Sequence, residues 1–284
     1  MNRRVLVAGG GIGGLACALS LGRAGVPVTV LEQAEAMRRD FVANVSHEIR
    51  TPLTVLAGFV ETLQNLPLEE DERRRYLELM AQQAERMQHL VEDLLTLSRL
   101  EGSPLPSNND WVSVAQLLNR CENEARGLSN ALTRKQAKPH VLNFPDEQAL
   151  RQAGDLAGAS AELHSAFSNL LANAMRYTPA GGQIDVRWQL LPDGSARFAV
   201  KDSGPGIDEK HVSRLTERFY RVDRSRSRDT GGTGLGLAIV KHVLQRHGAK
   251  LSIESELGKG SEFAVTFPPG RVRAVTEVPV KTLS

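Results

Sequence analysis

The chain has 284 residues, of which 41% are hydrophobic, so it can bury a substantial core and form one to three domains. Its 35 basic and 33 acidic residues nearly balance, and no basic field therefore indicates a nucleic-acid partner. The two cysteines, Cys17 and Cys121, cannot form a Cys-x-x-Cys zinc site and favour a reducing cytoplasm.

The amino-terminal segment, residues 1–37, is predicted to form a strand, a glycine turn, a helix and a second strand. Gly9, Gly11 and Gly14 lie in the turn, and Glu32 closes the second strand. This pattern is typical of a dinucleotide site, in which glycines admit the pyrophosphate and the acid binds a ribose hydroxyl. The segment resembles the FAD-binding βαβ unit of flavin-dependent monooxygenases. The alternation does not continue, so we expect a truncated Rossmann-like fragment with a vestigial site, and an FAD-binding redox protein is the alternative.

The stretch Val5–Gly22 is uncharged over eighteen residues and has the length of a membrane span. Six of its residues are glycine, and each glycine lowers helix stability by roughly 1 kcal/mol relative to alanine. We therefore predict no membrane span and a cytoplasmic protein, with association with the inner membrane as the alternative.

The next segment, residues 38–103, is predicted to form two long helices. Apolar residues of the first helix form one stripe at intervals of three or four: Val42, Val45, Ile49, Leu53, Leu56, Val60 and Leu63. The second helix has the heptad spacing of a coiled-coil seam: Leu77, Met80, Ala84, Met87, Val91 and Leu94. A hairpin of two such helices cannot bury both stripes alone, so we expect a homodimer built around a four-helix bundle.

Glycine and proline residues in Gly102–Asp110 indicate a linker into a second domain. Residues 104–270 are predicted to form an α/β sandwich, in which helices at about 160–177 and 235–247 cover one side of a sheet. Residues 271–284 are predicted to be a flexible tail. Alternating apolar residues indicate the strands: Ile184, Val186, Trp188, Phe198, Val200, Leu251, Ile253, Phe263, Val265 and Phe267.

His47 lies roughly 200° around the helix from Val45 and from Ile49, so it is predicted to point into solvent. A neutral imidazole has one nucleophilic nitrogen, and an adjacent carboxylate such as Glu48 can hold the proton of the other. Pro52 lacks an amide proton and is expected to bend the helix beside His47.

A nucleotide site is indicated by three further groups of residues. Asn169 and Asn173 share one helix face, where amide oxygens can help to hold a magnesium ion, and Arg176 and Tyr177 follow one turn later. Asp202 precedes Gly204 and Gly206, and a carboxylate there can accept a hydrogen bond from the adenine amino group. The turn before the helix predicted at about 235–247 can bind phosphate oxygens with its backbone amides; its residues are Gly232, Thr233, Gly234 and Gly236.

The order and spacing of these segments resemble the bacterial sensor histidine kinases. The resemblance implies that His47 accepts a phosphoryl group from ATP, that Glu48 orients and deprotonates it, and that Thr51 helps to position water during dephosphorylation of the partner. It also implies that Asn173 is the Mg²⁺ ligand and that Glu217–Thr230 is a mobile lid anchored by Phe219.

The resemblance implies a multidomain fold, α plus α/β: the truncated Rossmann-like fragment, a dimeric helical hairpin for histidine phosphotransfer, and a GHKL-type α/β sandwich ATPase domain. The expected activity is ATP-dependent autophosphorylation and transfer to an aspartate in the receiver domain of a response regulator. Within the family, Arg39–Ser46 and Glu217–Arg221 most resemble the phosphate-regulon sensors, which implies phosphate-starvation signalling with phosphatase activity. The alternative to the kinase, besides the redox protein, is a non-catalytic dimeric signalling scaffold.

Overall fold

The computed structural model describes residues 5–7, 19–26, 28–30, 32–133, 138–222 and 232–274. The chain divides into two compact units, Met1–Met87 and Gln88–Ser284. No helix among the described residues combines the length and the apolarity that a membrane crossing needs.

The first unit opens with a small βαβ arrangement. Strand β1 (Val5–Val7) pairs in parallel with β2 (Val28–Val30), and residues 19–23 between them are helical. The predicted strand, helix and strand are therefore confirmed for the described residues. Gly9, Gly11 and Gly14 lie outside them.

The prediction that Glu32 closes the second strand was wrong. Helix α1 (Glu32–Asn65) begins at this residue, five positions before the predicted change to helix at Met37. The physical reason is local: the sequence after Glu32 is a run of glutamate, glutamine, alanine, methionine and arginine, which are all strong helix formers.

Two long helices follow, α1 and α2 (Glu70–Gly102), separated by a short turn. Three acidic residues in the first turn of α2, Glu70 to Glu72, interact favourably with the positive end of the helix dipole. The rings of Phe59 on α1 and Tyr76 on α2 lie 5.5 Å apart, which joins the two helices beside the turn. Helix α1 continues through Pro52, whose ring is buried.

The predicted apolar stripes of the hairpin remain largely open in the single chain. Val42 is 56% exposed, Leu53 49% and Leu77 52%. The residues of α2 that are buried belong to a different series, Leu90, Leu97 and Leu100. The heptad seam is thus available for another surface, and the C-terminal part of α2 has an apolar face of its own.

The described residues of the second unit form two sheets and several helices, of which three have more than ten residues. The larger sheet has the order β4-β6-β7-β9-β8, and only its β4–β6 pair is parallel. The smaller sheet has the order β10-β5-β3 and is antiparallel. The strands are β3 (Trp111–Ser113), β4 (Val141–Asn143), β5 (Asp155–Ala157), β6 (Gln183–Leu190), β7 (Ala196–Asp202), β8 (Lys250–Glu256), β9 (Gly260–Phe267) and β10 (Val272–Arg273). The helices are α3 (Val114–Thr133), α4 (Glu147–Arg151), α5 (Ser160–Tyr177), α6 (Glu209–Val212) and α7 (Gly236–Arg246).

Aromatic stacking joins α5 to the larger sheet. Phe167 on α5 and Phe198 on β7 are fully buried, with ring centroids 3.9 Å apart and nearly parallel planes. Phe267 on β9 completes this part of the core. Helix α5 packs against α3 on one side and α7 on the other, so the predicted α/β sandwich is confirmed.

The carboxyl-terminal boundary differs from the prediction, because Val272 and Arg273 form β10 and pair with β5. Arg273 makes an ion pair with Asp155 at 2.5 Å and lies over the ring of Trp111. The segment predicted to be a tail from residue 271 is therefore structured in its first residues. Residues 275–284 lie outside the description.

The linker after α2 is held by arginine side chains. Arg246 donates hydrogen bonds to the carbonyl oxygens of Leu100, Ser103 and Pro104 at 2.6 to 3.0 Å. Arg271 donates to the carbonyl oxygen of Ser107 at 3.1 Å. The linker is therefore bonded to the rest of the second unit along its length, although its composition indicated only a break between domains.

Candidate functional site

His47 lies in the middle of α1 and its side chain is exposed, so a reacting group can reach the imidazole. Thr51, one turn later, donates its hydroxyl hydrogen bond to the backbone carbonyl of His47 at 3.1 Å. This bond fixes the threonine hydroxyl on the surface directly beside the histidine.

Glu48 is half-buried and pairs with Arg86 of α2, with 3.4 Å between Nη2 and Oε2. The two side chains are 26% and 17% exposed, so water screens the pair less than it would a surface ion pair. The carboxylate beside His47 is therefore held between the two helices of the hairpin. The sequence pattern of α1 contained no indication of Arg86.

In the second unit, α5 meets the glycine turn that precedes α7. A methyl group at Gly236 would come within 2.5 Å of the amide oxygen of Asn169, so a larger residue there would force the Asn169 side chain to move. The Asn169 amide nitrogen donates to the carbonyl of Ser165 at 2.9 Å, which fixes the orientation of the side chain. A methyl group at Gly232 would lie 3.9 Å from both the Arg176 guanidinium and the Tyr177 hydroxyl.

Asp202 ends β7 and is 6% exposed. Its carboxylate accepts a hydrogen bond from the backbone N–H of Gly204 at 2.8 Å. Burial raises the pKa of Asp202, while hydrogen bonds from the backbone N–H groups of Gly204 and Ser261 act in the opposite direction. The carboxylate is therefore oriented and largely desolvated, as a group that recognises one polar edge of a ligand must be.

Gly206 has a positive φ of 71°, and a methyl group there would lie 2.0 Å from the backbone oxygen of Glu256. Both its conformation and its close approach to β8 require glycine. The turn after Asp202 is consequently fixed against the edge strand of the sheet.

Phe219 has a φ of 62°, and among the described residues it is the one non-glycine residue whose φ is positive. Its N–H donates to the carbonyl of Gly234 at 2.9 Å, which links the first part of the predicted lid to the glycine turn. Such a backbone conformation costs free energy and is typical of functional segments. Residues 223–230 of the predicted lid lie outside the description, so the structure bears on its residues 217–222 only.

Asn173 is half-exposed on the same face of α5 as Asn169, and Tyr177 is 48% exposed one turn later. An amide oxygen in this position fits a magnesium ion held mainly by phosphate oxygens. Within the described part of the chain, no group of three or more His, Cys, Asp or Glu side chains is placed to hold a metal ion by itself.

Two long-range contacts of the second unit could not be predicted from motifs. Thr233, in the glycine turn, donates a hydrogen bond to Asp93 of α2 at 2.5 Å. His247, just after α7, is fully buried and accepts a hydrogen bond from the N–H of Ala159 at the start of α5 at 3.2 Å. Both contacts join residues far apart in the chain, and no local pattern marks either of them.

Comparison with protein families gives three matches along the chain. Residues 37–103 match the His Kinase A (phospho-acceptor) domain. Residues 158–271 match the histidine kinase-, DNA gyrase B- and HSP90-like ATPase family. Residues 4–45 match an FAD binding domain. The chain therefore belongs to the bacterial sensor histidine kinases.

Among the curated relatives with similar sequences are two phosphate regulon sensor proteins. The chain is 51% identical over 248 residues to the phosphate regulon sensor protein PhoR of Pseudomonas aeruginosa, which covers 86% of this chain and 53% of the relative. It is 36% identical to PhoR of Haemophilus influenzae, over 81% of this chain and 51% of the relative. Identity to the sensor histidine kinase WalK of Bacillus subtilis is 34%, over 85% and 38% of the two chains. The chain thus spans about half the length, or less, of these relatives.

Solved structures agree on the fold. Full-length ShkA in complex with AMPPNP is 25% identical, with a TM-score of 0.55 over 83% of this chain and 47% of that chain. The histidine kinase ThkA in complex with the response regulator protein TrrA has a TM-score of 0.60 at 19% identity, over 84% and 63% of the two chains. The latter likeness concerns the fold alone.

Proposed function

We propose that this protein is an ATP-dependent histidine kinase that phosphorylates itself on His47 and passes the phosphoryl group to an aspartate of a response regulator. The observation that carries this proposal is the close approach of Asn169, Arg176 and Tyr177 to the glycine turn of residues 232–236. That arrangement supplies amide, cationic and backbone N–H groups for a triphosphate at one place. The exposed imidazole of His47 supplies the acceptor.

In the first step, the unprotonated imidazole nitrogen of His47 attacks the γ-phosphorus of ATP. The bond from that phosphorus to the bridging oxygen breaks, ADP leaves, and the proton of the other ring nitrogen passes to Glu48. In the second step, an aspartate carboxylate of the receiver domain attacks the phosphorus, the bond from phosphorus to the ring nitrogen breaks, and the imidazole leaves with the proton returned by Glu48. Catalysis in both steps rests on positioning and on neutralisation of charge.

Asp202 is proposed to accept a hydrogen bond from the adenine amino group, and the neighbouring glycines leave room for the ring. Mg²⁺, when bound, would neutralise phosphate charge, and Asn173 is the residue proposed to hold it. Thr51 is proposed to position water when the phosphorylated regulator is dephosphorylated. The ShkA complex with AMPPNP supports a nucleotide of this class in a related fold.

We propose that the active form is a homodimer with a four-helix bundle. The open apolar residues Val42, Leu53 and Leu77 support this, because an exposed stripe of that length on a hairpin needs a second surface. Analytical ultracentrifugation at micromolar concentration should give a dimer, and a pure monomer would contradict the proposal.

We further propose a cytoplasmic kinase that signals phosphate starvation. Identity to two phosphate regulon sensors supports the stimulus, and the free, buried Cys121 thiol is compatible with a reducing compartment. For the amino-terminal fragment, we propose no working FAD site, and the visible absorbance of the purified protein tests this: a flavin spectrum would overturn it.

The kinase is tested by incubating the purified protein with γ-labelled ATP and Mg²⁺. The parent should acquire an acid-labile, base-stable label and His47→Gln should acquire none. His89→Gln is the matched control, because His89 is also an exposed histidine of the long helices, with 51% of its side chain accessible. Nucleotide binding without label on the parent would favour the scaffold alternative. Transfer of label from the parent to a receiver domain, and not to its Asp→Asn variant, tests the second step.

A further inference from the structure

The glycine turn is engaged by an acidic side chain of α2. Thr233 donates its hydroxyl hydrogen bond to Oδ2 of Asp93 at 2.5 Å and accepts the N–H of Leu235 at 3.2 Å. Thr233 is 7% exposed, so water competes little with this bond. Leu235 directly precedes α7, whose N-terminal end is the proposed phosphate-binding end.

A second proposed phosphate-binding group interacts electrostatically with the same carboxylate. Burial raises the pKa of Asp93, while the Thr233 hydrogen bond and the positive charge of Arg176 act in the opposite direction. Arg176 also lies beside Gly232 of the turn. Asp93 therefore interacts with a hydroxyl donor and a guanidinium, which are the two kinds of group that would bind an ATP phosphate oxygen.

We propose that Asp93 is a residue of the nucleotide site, where its carboxylate takes the place of a phosphate oxygen at Thr233 until ATP displaces it. Two anions cannot share one hydroxyl proton, and their charges repel each other in a poorly solvated space. Binding of ATP therefore requires the Asp93–Thr233 bond to break. This inference rests on the proposed function, because it assumes that ATP phosphates occupy the glycine turn.

Attachment of α2 to the nucleotide domain does not depend on Asp93. Leu97 and Leu100 of α2 are 2% and 4% exposed. Glu101 pairs with Arg218, and Arg246 bonds the carbonyl oxygen of Leu100. Replacing Asp93 should therefore remove the competing charge and leave this part of the helix in place.

The test is the substitution Asp93→Asn, with Glu92→Gln as the control. Glu92 is the preceding residue and is 73% exposed, so its replacement removes the same charge without touching the turn. Affinity for AMPPNP with Mg²⁺ and for adenosine is measured by calorimetry on the full chain. Asp93→Asn should lower the Kd for AMPPNP about tenfold, the effect expected for one hydrogen bond to a charged group. Adenosine, which lacks phosphates, should bind the parent and both variants equally.

The comparison of two ligands separates competition from a structural role. If Asp93 instead shaped the turn for ATP, Asp93→Asn and Asp93→Ala would both bind AMPPNP more weakly than the parent, which would overturn the inference. Equal Kd values of AMPPNP for the parent, Asp93→Asn and Asp93→Ala would also overturn the inference. In those cases labelling of His47 in the parent would leave the proposed kinase standing, whereas a parent that binds no nucleotide would remove both.

Discussion

Acid should destabilise the nucleotide domain through His247, which is fully buried between α7 and the start of α5. Its Nδ1 donates to the carbonyl of Val243 at 2.8 Å, and its Nε2 accepts from the N–H of Ala159 at 3.2 Å. One neutral tautomer satisfies both bonds. A proton on Nε2 would place two donors face to face and would add a buried charge.

Burial lowers the pKa of His247, and the charges of Arg271 and Arg246 act in the same direction. The Val243 carbonyl and Glu162 oppose this but do not reverse it. Because the folded pKa lies below the unfolded value of about 6.5, the unfolded chain takes up the proton first. The contribution to stability is complete above that value and is lost as the pH falls below it. The uptake of one proton by the unfolded chain limits this loss between pH 7.5 and 5.5 to at most about 1.4 kcal/mol.

Urea unfolding followed by tryptophan fluorescence measures this loss, because Trp111 and Trp188 both lie in the second unit. The parent should lose more than His247→Gln over the same pH interval, by up to about 1.4 kcal/mol. The His247→Gln substitution itself is expected to lower stability at both pH values, so the pH dependence is compared and not the absolute free energy. His89→Gln should behave as the parent. Equal losses in the parent and in His247→Gln would refute the argument.

Three further substitutions test the packing. Gly206→Ala should lower the free energy of unfolding by more than Gly258→Ala does. Both glycines have a positive φ, which costs alanine about 1 kcal/mol, but only a methyl group at Gly206 would also clash with β8. Equal denaturation midpoints of the two variants would contradict this. Phe167→Ala should lower the free energy of unfolding by about 3–5 kcal/mol, because it leaves a cavity beside the ring of Phe198. A loss below about 1 kcal/mol in the same urea unfolding measurement would show that the stacked pair contributes little to stability. Leu53→Asp should shift the dimer toward monomer in analytical ultracentrifugation, whereas Leu105→Ala, at a linker residue that is 73% exposed, should not.

Local sequence patterns were sufficient to predict many of the helices and strands. Helix periodicity predicted the hairpin, and alternation around Trp188 and Phe198 predicted the central strands, because both signals are repeated over many residues. The boundary at Glu32 was missed because a strand end and a helix start both accept glutamate there. Asp93, Arg86 and His247 were missed for another reason: their roles depend on which distant segments meet, and spacing along the chain does not encode that.

Helix α7 has eleven residues and is therefore about 16 Å long. Gly236 at its first turn lies against Asn169, and Arg246 at its last turn bonds the carbonyls of Leu100, Ser103 and Pro104. Helix α7 therefore connects the linker, through Arg246, to the glycine turn at its opposite end. The position of the linker and the proposed phosphate-binding end are thus joined by one continuous hydrogen-bonded element.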